Sequence, residues 1–205
     1  MLGKLFDKYG ADKSSKHKYD TVYEKFFEPI REDALKLLEV GVWKGHSMLA
    51  HLDYFPNADI YGLDIFTRTR MNEIEPYGHE RAHLMKADST NAAVAPQMHE
   101  KFGGTKFDII IDDGKHTPEA NMLTFNNLKP FLAEGGQYII EDVFPLEKMT
   151  LAELGHPWIQ RNLKDYNAFK NEQFLQALDR SGMTIERFDL RAKTGQPDSY
   201  IIRLS

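Results

Sequence analysis

Cysteine is absent from the 205 residues. This excludes a thiol nucleophile, a cysteine-held zinc site or iron–sulfur cluster, and any disulfide framework. The lack also fits a reducing compartment. Positive charge is in short supply: 26 Lys and Arg stand against 31 Asp and Glu, a formal net charge of −5. Proteins that grip phosphate backbones are usually basic, so no nucleic-acid partner is expected. No apolar run approaches the ~18–20 residues of a membrane-crossing helix. Met1 to Tyr9 lacks the long apolar core of a secretory leader. The expected setting is the cytoplasm, with no membrane partner. Fixed-period repeats and low-complexity tracts are missing as well. Core-forming residues are plentiful: 41% are hydrophobic and 12% aromatic, which excludes global disorder. The length suits one domain over residues 1–205.

Short apolar runs recur along the chain: Ala34–Val40, Asp59–Asp64, Ala82–Asp88, Phe107–Asp112 and Gln137–Glu141. Each is compact, and a glycine or an acid stops it, as in buried parallel strands. Segments with helical spacing lie between them: one starting at Ser47, Ala92–Phe102 and Pro118–Leu132, the last expected to stop at Gly135-Gly136. This alternation predicts a doubly wound α/β sheet. After a helix over Phe169–Ser181, Thr184–Leu190 and Ser199–Leu204 read as a hairpin around the polar loop Arg191–Asp198. That hairpin should place an antiparallel strand at the sheet edge. Residues 1–33 read as two short helices around a polar loop, a flap beside the α/β core of 34–205.

The first strand runs into Glu39-Val40-Gly41-Val42-Trp43-Lys44-Gly45-His46-Ser47. Glycine there permits a sharp turn and close ligand approach, and a helix N-terminus follows. The spacing is E-x-G-x-x-x-G. It is not the dinucleotide fingerprint, and Trp43 and Lys44 would obstruct a pyrophosphate. A smaller, phosphate-free nucleoside fits better, which counts against a nicotinamide-dependent oxidoreductase. Asp64 ends the second strand, where an acid commonly accepts hydrogen bonds from ribose hydroxyls. Asp88 ends the third and could meet an adenine amino group. The bland alternative is a glycine turn with acids acting as caps.

Together, Glu39-x-Gly41-x-x-x-Gly45-x-Ser47, Asp64, Asp88 and the terminal hairpin resemble the class I S-adenosylmethionine-dependent methyltransferases, over nearly the whole chain. The resemblance implies a Rossmann-like, mostly parallel seven-stranded sheet with an antiparallel C-terminal hairpin. It implies that Glu39, Gly41, Gly45 and Ser47 hold the methionine part of the cofactor, Asp64 the ribose and Asp88 the adenine end.

The fourth strand ends in Ile111-Asp112-Asp113-Gly114-Lys115-His116 and the fifth in Glu141-Asp142. Neighbouring strand ends would bring Asp112, Asp113, Glu141 and Asp142 into one cleft. Clustered carboxylates repel, and a hard divalent ion resolves the repulsion; oxygen ligands favour Mg²⁺. His116 is close enough to act as a base there. Taken singly, each residue also reads as an ordinary capping or solvated group.

I-D-D-G-x-H followed by E-D resembles the metal-dependent O-methyltransferases that act on sugars of macrolide antibiotics. So does Tyr9-Gly10-Ala11-Asp12-Lys13 followed by His17, Tyr19 and Tyr23. The resemblance implies that Asp113, Glu141 and Asp142 hold magnesium and that His116 is the base. The implied acceptor is a sugar hydroxyl of a glycan or glycosylated natural product. Asp113 is counted with His116 in the catalytic pair, and Asp112 and Lys13 are candidates on the cofactor. Residues 143–168 form an apolar stretch that would serve as a lid, as packing, or as a subunit contact. A catechol-type enzyme, another small-molecule O-methyltransferase and a non-catalytic S-adenosylmethionine-binding module remain open alternatives. A homo-oligomer is open on general grounds only.

Overall fold

A computed structural model describes residues 1–33, 35–162 and 168–205. Ala34, placed by the sequence at the start of the first strand, and residues 163–167 of the apolar stretch lie outside the described residues. Among the described residues, seven strands form one sheet: β1 (Lys36–Val40), β2 (Asp59–Asp64), β3 (Ala82–Lys86), β4 (Phe107–Asp112), β5 (Leu132–Ile140), β6 (Ile185–Asp189) and β7 (Tyr200–Leu204). Their order is β3-β2-β1-β4-β5-β7-β6. Strands β1 to β5 are parallel, and β7 lies antiparallel between β5 and β6. The mostly parallel α/β sheet and its C-terminal hairpin are those the sequence implied, but the antiparallel strand is β7, one place in from the edge, which β6 occupies. Strand order reverses between β1 and β4, and ligands of open α/β sheets bind beyond the carboxyl ends of strands at such a point.

The helices are α1 (Leu2–Tyr9), α2 (Asp12–Ser15), α3 (Asp20–Phe27), α4 (His46–Tyr54), α5 (Val94–Phe102), α6 (Pro118–Leu128), α7 (Leu151–Leu154), α8 (Pro157–Asn162), α9 (Ala168–Asp179) and α10 (Arg191–Thr194). Among the described residues, none is long and apolar enough to cross a membrane. The strand pleat sorts side chains onto two faces. Leu37, Ile109, Ile111 and Ile139 join Leu2, Phe6, Tyr23, Met48 and Leu52 in one core. Leu38, Val40, Ile110 and Ile140 join Val94, Met98, Phe125, Leu128 and Phe174 in the other. The first 33 residues thus contribute a buried layer: Leu2, Phe6, Tyr19, Tyr23 and Phe27 have no exposed surface. Their polar loop contains the one-turn α2, so three helices stand where two were expected.

The end of α6 is not where the sequence placed it. Helix α6 ends at Leu128, and Gly135-Gly136 does not stop it; both glycines lie inside β5. Pro130 lacks the N–H that would continue the helix, and the chain tightens into a 3-10 turn over Lys129–Phe131. The glycines serve an irregular pairing instead. The β4–β5 register shifts between Phe107 and Ile109, and a Cβ on Gly136 would lie 3.1 Å from the Asp108 carbonyl oxygen.

Candidate active site

Pleat parity decides which strand-end acids face each other. Glu39 has the parity of Leu37, Asp113 that of Ile111, and Glu141 that of Ile139, so all three emerge on the face covered by α1, α3 and α4. Asp112 has the opposite parity. It is buried against α6, accepting hydrogen bonds from Asn121 Nδ2 at 3.2 Å and from the Gly114 N–H at 3.3 Å. Burial, opposed by the Asn121 bond, pushes its carboxyl up to about 6.

On the shared face a single buried ammonium gathers the acids. Lys13 Nζ lies 2.7 Å from Asp113 Oδ2, 2.5 Å from Glu141 Oε2 and 3.6 Å from Glu39 Oε1. Burial works against the charge on Lys13, but Asp113, Glu141 and Glu39 more than offset it and hold its pKa well above the ordinary lysine range. Glu141 is pushed well up by burial, with Lys13 opposing, and Asp113 is raised for the same reason. Burial also acts on Asp142, yet His116, His17 and the Tyr19 phenol together keep it below the usual carboxylate range.

Helix α3 supplies the second layer of contacts. Tyr19 at its N-cap and Tyr23 one turn on share a face. The Tyr19 hydroxyl donates to Asp142 Oδ1 at 2.6 Å and accepts the Asp142 N–H at 3.2 Å. The Tyr23 hydroxyl donates to Glu141 Oε1. His17 stacks on Tyr19 with ring centroids 5.0 Å apart, and its Nδ1 lies 2.9 Å from Ser199 Oγ.

His116 stands at the turn into α6, with Nε2 3.7 Å from Asp113 Oδ1. Ligand atoms of Asp113, His116 and Asp142 all lie within 4.8 Å of one another; a second such group joins His17, Asp142 and Asp198. His116 and Asp142 both hold left-handed backbone, with φ of 58° and 51°. Such conformations cost non-glycine residues energy and cluster where the fold must aim a side chain.

The expected cofactor residues line the neighbouring strand ends. Gly41 has φ +88°, and a Cβ there would lie 2.0 Å from the Asp113 carbonyl oxygen. The glycine therefore lets the β1 and β4 loops touch. Gly45 has φ +83° and packs on Pro76. Ser47 Oγ donates to Glu39 Oε1 at 2.6 Å, while the buried Glu39 Oε2 faces His51 Nδ1 at 3.7 Å. Asp64 accepts the N–H groups of Trp43 at 2.9 Å and Phe66 at 2.6 Å. Asp88 accepts from Thr90 and lines a cavity of about 340 Å³ with Ile65, Lys86, Ala87 and Asn91.

The structure thus brings Asp113, His116 and Asp142 directly together, while Glu141 and Glu39 join them through the Lys13 ammonium rather than as part of that ligand group. It sets Asp64 and Asp88 on the flank and turns Asp112 away. Lys13, a cofactor candidate by sequence, has its ammonium on the acids. The reading from sequence did not include Asp198 and Ser199, which come from a polar loop with no motif of its own. In the apolar stretch, Phe144 and Ile159 are buried together, with Leu146 and Met149 against them, while Leu151 is 88% exposed.

A family model described as a methyltransferase domain matches residues 38–143. The chain is 32% identical over 149 residues to 8-demethyl-8-alpha-L-rhamnosyl tetracenomycin-C 2'-O-methyltransferase of Streptomyces olivaceus, covering 69% of this chain and 37% of that protein. It is 30% identical over 135 residues to mycinamicin VI 2''-O-methyltransferase of Micromonospora griseorubida, covering 62% and 32%. The chain therefore spans about a third of the length of these curated relatives. The solved MycE methyltransferase of the mycinamycin biosynthetic pathway, in complex with Mg, SAH and mycinamycin VI, superposes with a TM-score of 0.70. That match has 22% identity and covers all of this chain and 54% of the other, a likeness of fold.

Proposed function

The chain belongs to the methyltransferase-domain family of class I methyltransferases, and from that premise we propose that it transfers a methyl group from S-adenosylmethionine to a sugar hydroxyl. The acceptor class is a glycosylated natural product or other glycan, by analogy with the rhamnosyl and mycinamicin substrates named for its relatives. Residues 1–205 are read as one methyltransferase domain, with 1–33 covering the catalytic core. A cytoplasmic location is part of the same reading.

One observation carries the proposal: Asp113, His116 and Asp142 converge within 4.8 Å beyond the ends of β4 and β5, beside the glycine turn of β1. Asp113 and Asp142 at that spacing offer carboxylate oxygens that suit a small divalent cation, Glu141 lies beside Asp113 across Lys13 Nζ, and His116 stands close enough to act as the base. The local charge supports it as well, since Glu39, Asp113 and Glu141 surround the Lys13 ammonium and Asp142 lies within its field. Asp113, Glu141 and Asp142 would hold Mg²⁺, whose contribution when bound is to acidify and orient a sugar hydroxyl. The buried Glu39 carboxylate beneath the glycine turn and the cavity beside Asp88 suit the two ends of S-adenosylmethionine. That cofactor supplies the electrophilic methyl group.

The chain's own residues then have three tasks. Gly41 and Gly45 bring backbone close to the cofactor, while Asp64 and Asp88 face its ribose and base. Asp113 and Asp142 fix the acceptor side of the cleft, Asp142 being held rigid by the Tyr19 phenol. His116, with Nε2 3.7 Å from Asp113 Oδ1, takes the hydroxyl proton. Alignment of this kind contributes roughly 7–11 kcal/mol to such reactions.

Methyl-labelled S-adenosylmethionine incubated with a panel of deoxysugar glycosides tests the proposal. Label in a sugar ether is the expected result. A protein that binds S-adenosylhomocysteine yet labels no sugar in the panel would contradict it.

A further inference from the structure

We propose that the Lys13 ammonium is the resident counter-ion of the acidic centre and competes with a divalent cation for the Asp113 and Glu141 carboxylates. The inference rests on the cation reading above and adds a residue that governs how readily the ion enters.

Lys13 is 3% exposed, although lysine is rarely buried without a partner. Its ammonium touches one oxygen of Asp113 and one of Glu141, at 2.7 and 2.5 Å. Without a cation between them, these two acids would repel in a poorly solvated cleft, and an unpaired buried ammonium would be equally unfavourable. Lysine and acids therefore close each other's charge. A divalent ion needs the same oxygens. Its charge and the ammonium's cannot both sit on them at full strength, because like charges at such range repel strongly in a low-dielectric site. Glu39 offers the ammonium a place to turn: its Oε1 is already 3.6 Å from Nζ, while its Oε2 faces His51 Nδ1 at 3.7 Å and leaves Oε1 to the lysine.

The backbone around Lys13 is anchored, so exchange falls to the side chain. The Lys13 carbonyl accepts the Tyr19 N–H at 2.7 Å, and the Ser14 carbonyl accepts the Lys18 N–H at 3.2 Å. A four-carbon stem on a fixed backbone can move an ammonium between neighbouring carboxylates without unfolding α2. Lys13 thus acts as a positioning residue that keeps Asp113 and Glu141 converged until the ion arrives, and lowers affinity for that ion in return.

Calorimetric titration of Mn²⁺ into the wild-type chain, Lys13→Met and Lys13→Gln, without cofactor or acceptor, tests this. Both uncharged variants are expected to bind Mn²⁺ about tenfold or more tightly than wild type, the fold-change that roughly 1.4 kcal/mol of relieved repulsion produces. Equal or weaker binding in the folded variants overturns the proposal. Should the variants fail to fold, wild type answers alone. Acylation of Lys13 by an amine reagent, followed by mass spectrometry, is expected to be slow in chelator and to rise several-fold with Mn²⁺, with the exposed Lys4 as internal standard. Lys13 reactivity that Mn²⁺ leaves unchanged overturns it equally. Failure of every protein to bind Mn²⁺ would instead remove the cation reading, and this inference with it.

Discussion

A methyl group at Gly41 would meet the Asp113 carbonyl oxygen at 2.0 Å, on a backbone whose φ is +88°. Gly41→Ala should therefore destabilise the fold by more than the ~1–3 kcal/mol of backbone strain alone. Urea unfolding checks this, and a loss below 1 kcal/mol would show that the loops can separate cheaply. Asp112 provides a pH signature. Its carboxyl is raised from 3.8 to about 6 by burial, so between those values the native state holds a proton that the unfolded chain has released. Stability from this group consequently falls as pH rises through that window, and the whole penalty applies above it. Asp112→Asn should gain up to about 3 kcal/mol over wild type at pH 7.5 and little at pH 4; a gain that does not depend on pH would refute the assignment. At His116, replacement by Ala should cost about 10²–10⁴-fold in turnover while leaving S-adenosylhomocysteine affinity unchanged. Near-normal turnover would leave another group as the base.

Strand parity and helix phase explain which elements meet at the site. Counting by twos from Leu37, Ile111 and Ile139 puts Glu39, Asp113 and Glu141 on one face and Asp112 on the other. That count was available from the strands alone, and applying it would have separated Asp112 from the cluster. The phase of α3 was equally legible, since Tyr19, Tyr23 and Phe27 recur every fourth residue and are all fully buried. What no local pattern revealed is where this stripe points. The Tyr23 phenol reaches Glu141 across 118 residues of chain, a contact that the closure of the sheet creates. Tyr23→Phe leaves Glu141 with one donor fewer and should cost about 1.5–3 kcal/mol, the usual value of a hydrogen bond to a charged group. An unchanged denaturation midpoint would mean that the phenol contributes nothing to holding Glu141. The glycine pair in β5 taught a different lesson. Gly135-Gly136 reads as punctuation, yet it serves a bulged strand, because Pro130 had already ended the helix.

At the scale of the whole molecule, the α/β class and the two-faced core follow from the alternation of short apolar runs with helical segments, and the seven-stranded sheet with its C-terminal hairpin follows from the family resemblance. The acids at strand ends follow from the motifs. The role of residues 1–33 was less legible. Their signature pointed toward the site, but their function as the buried layer over Glu39, Asp113 and Glu141 depends on packing with the distant β4, β5 and β7 regions. The same packing makes the N-terminal segment part of the site's electrostatics, through Lys13, His17, Tyr19 and Tyr23. The central claim is that these strand-end acids carry a cation on which methyl transfer depends. Its most direct test is the initial rate of label transfer to a sugar acceptor with Mg²⁺ and again in excess chelator. A rate that collapses in chelator and returns when Mg²⁺ is restored is the predicted result. A rate indifferent to chelator would contradict the account.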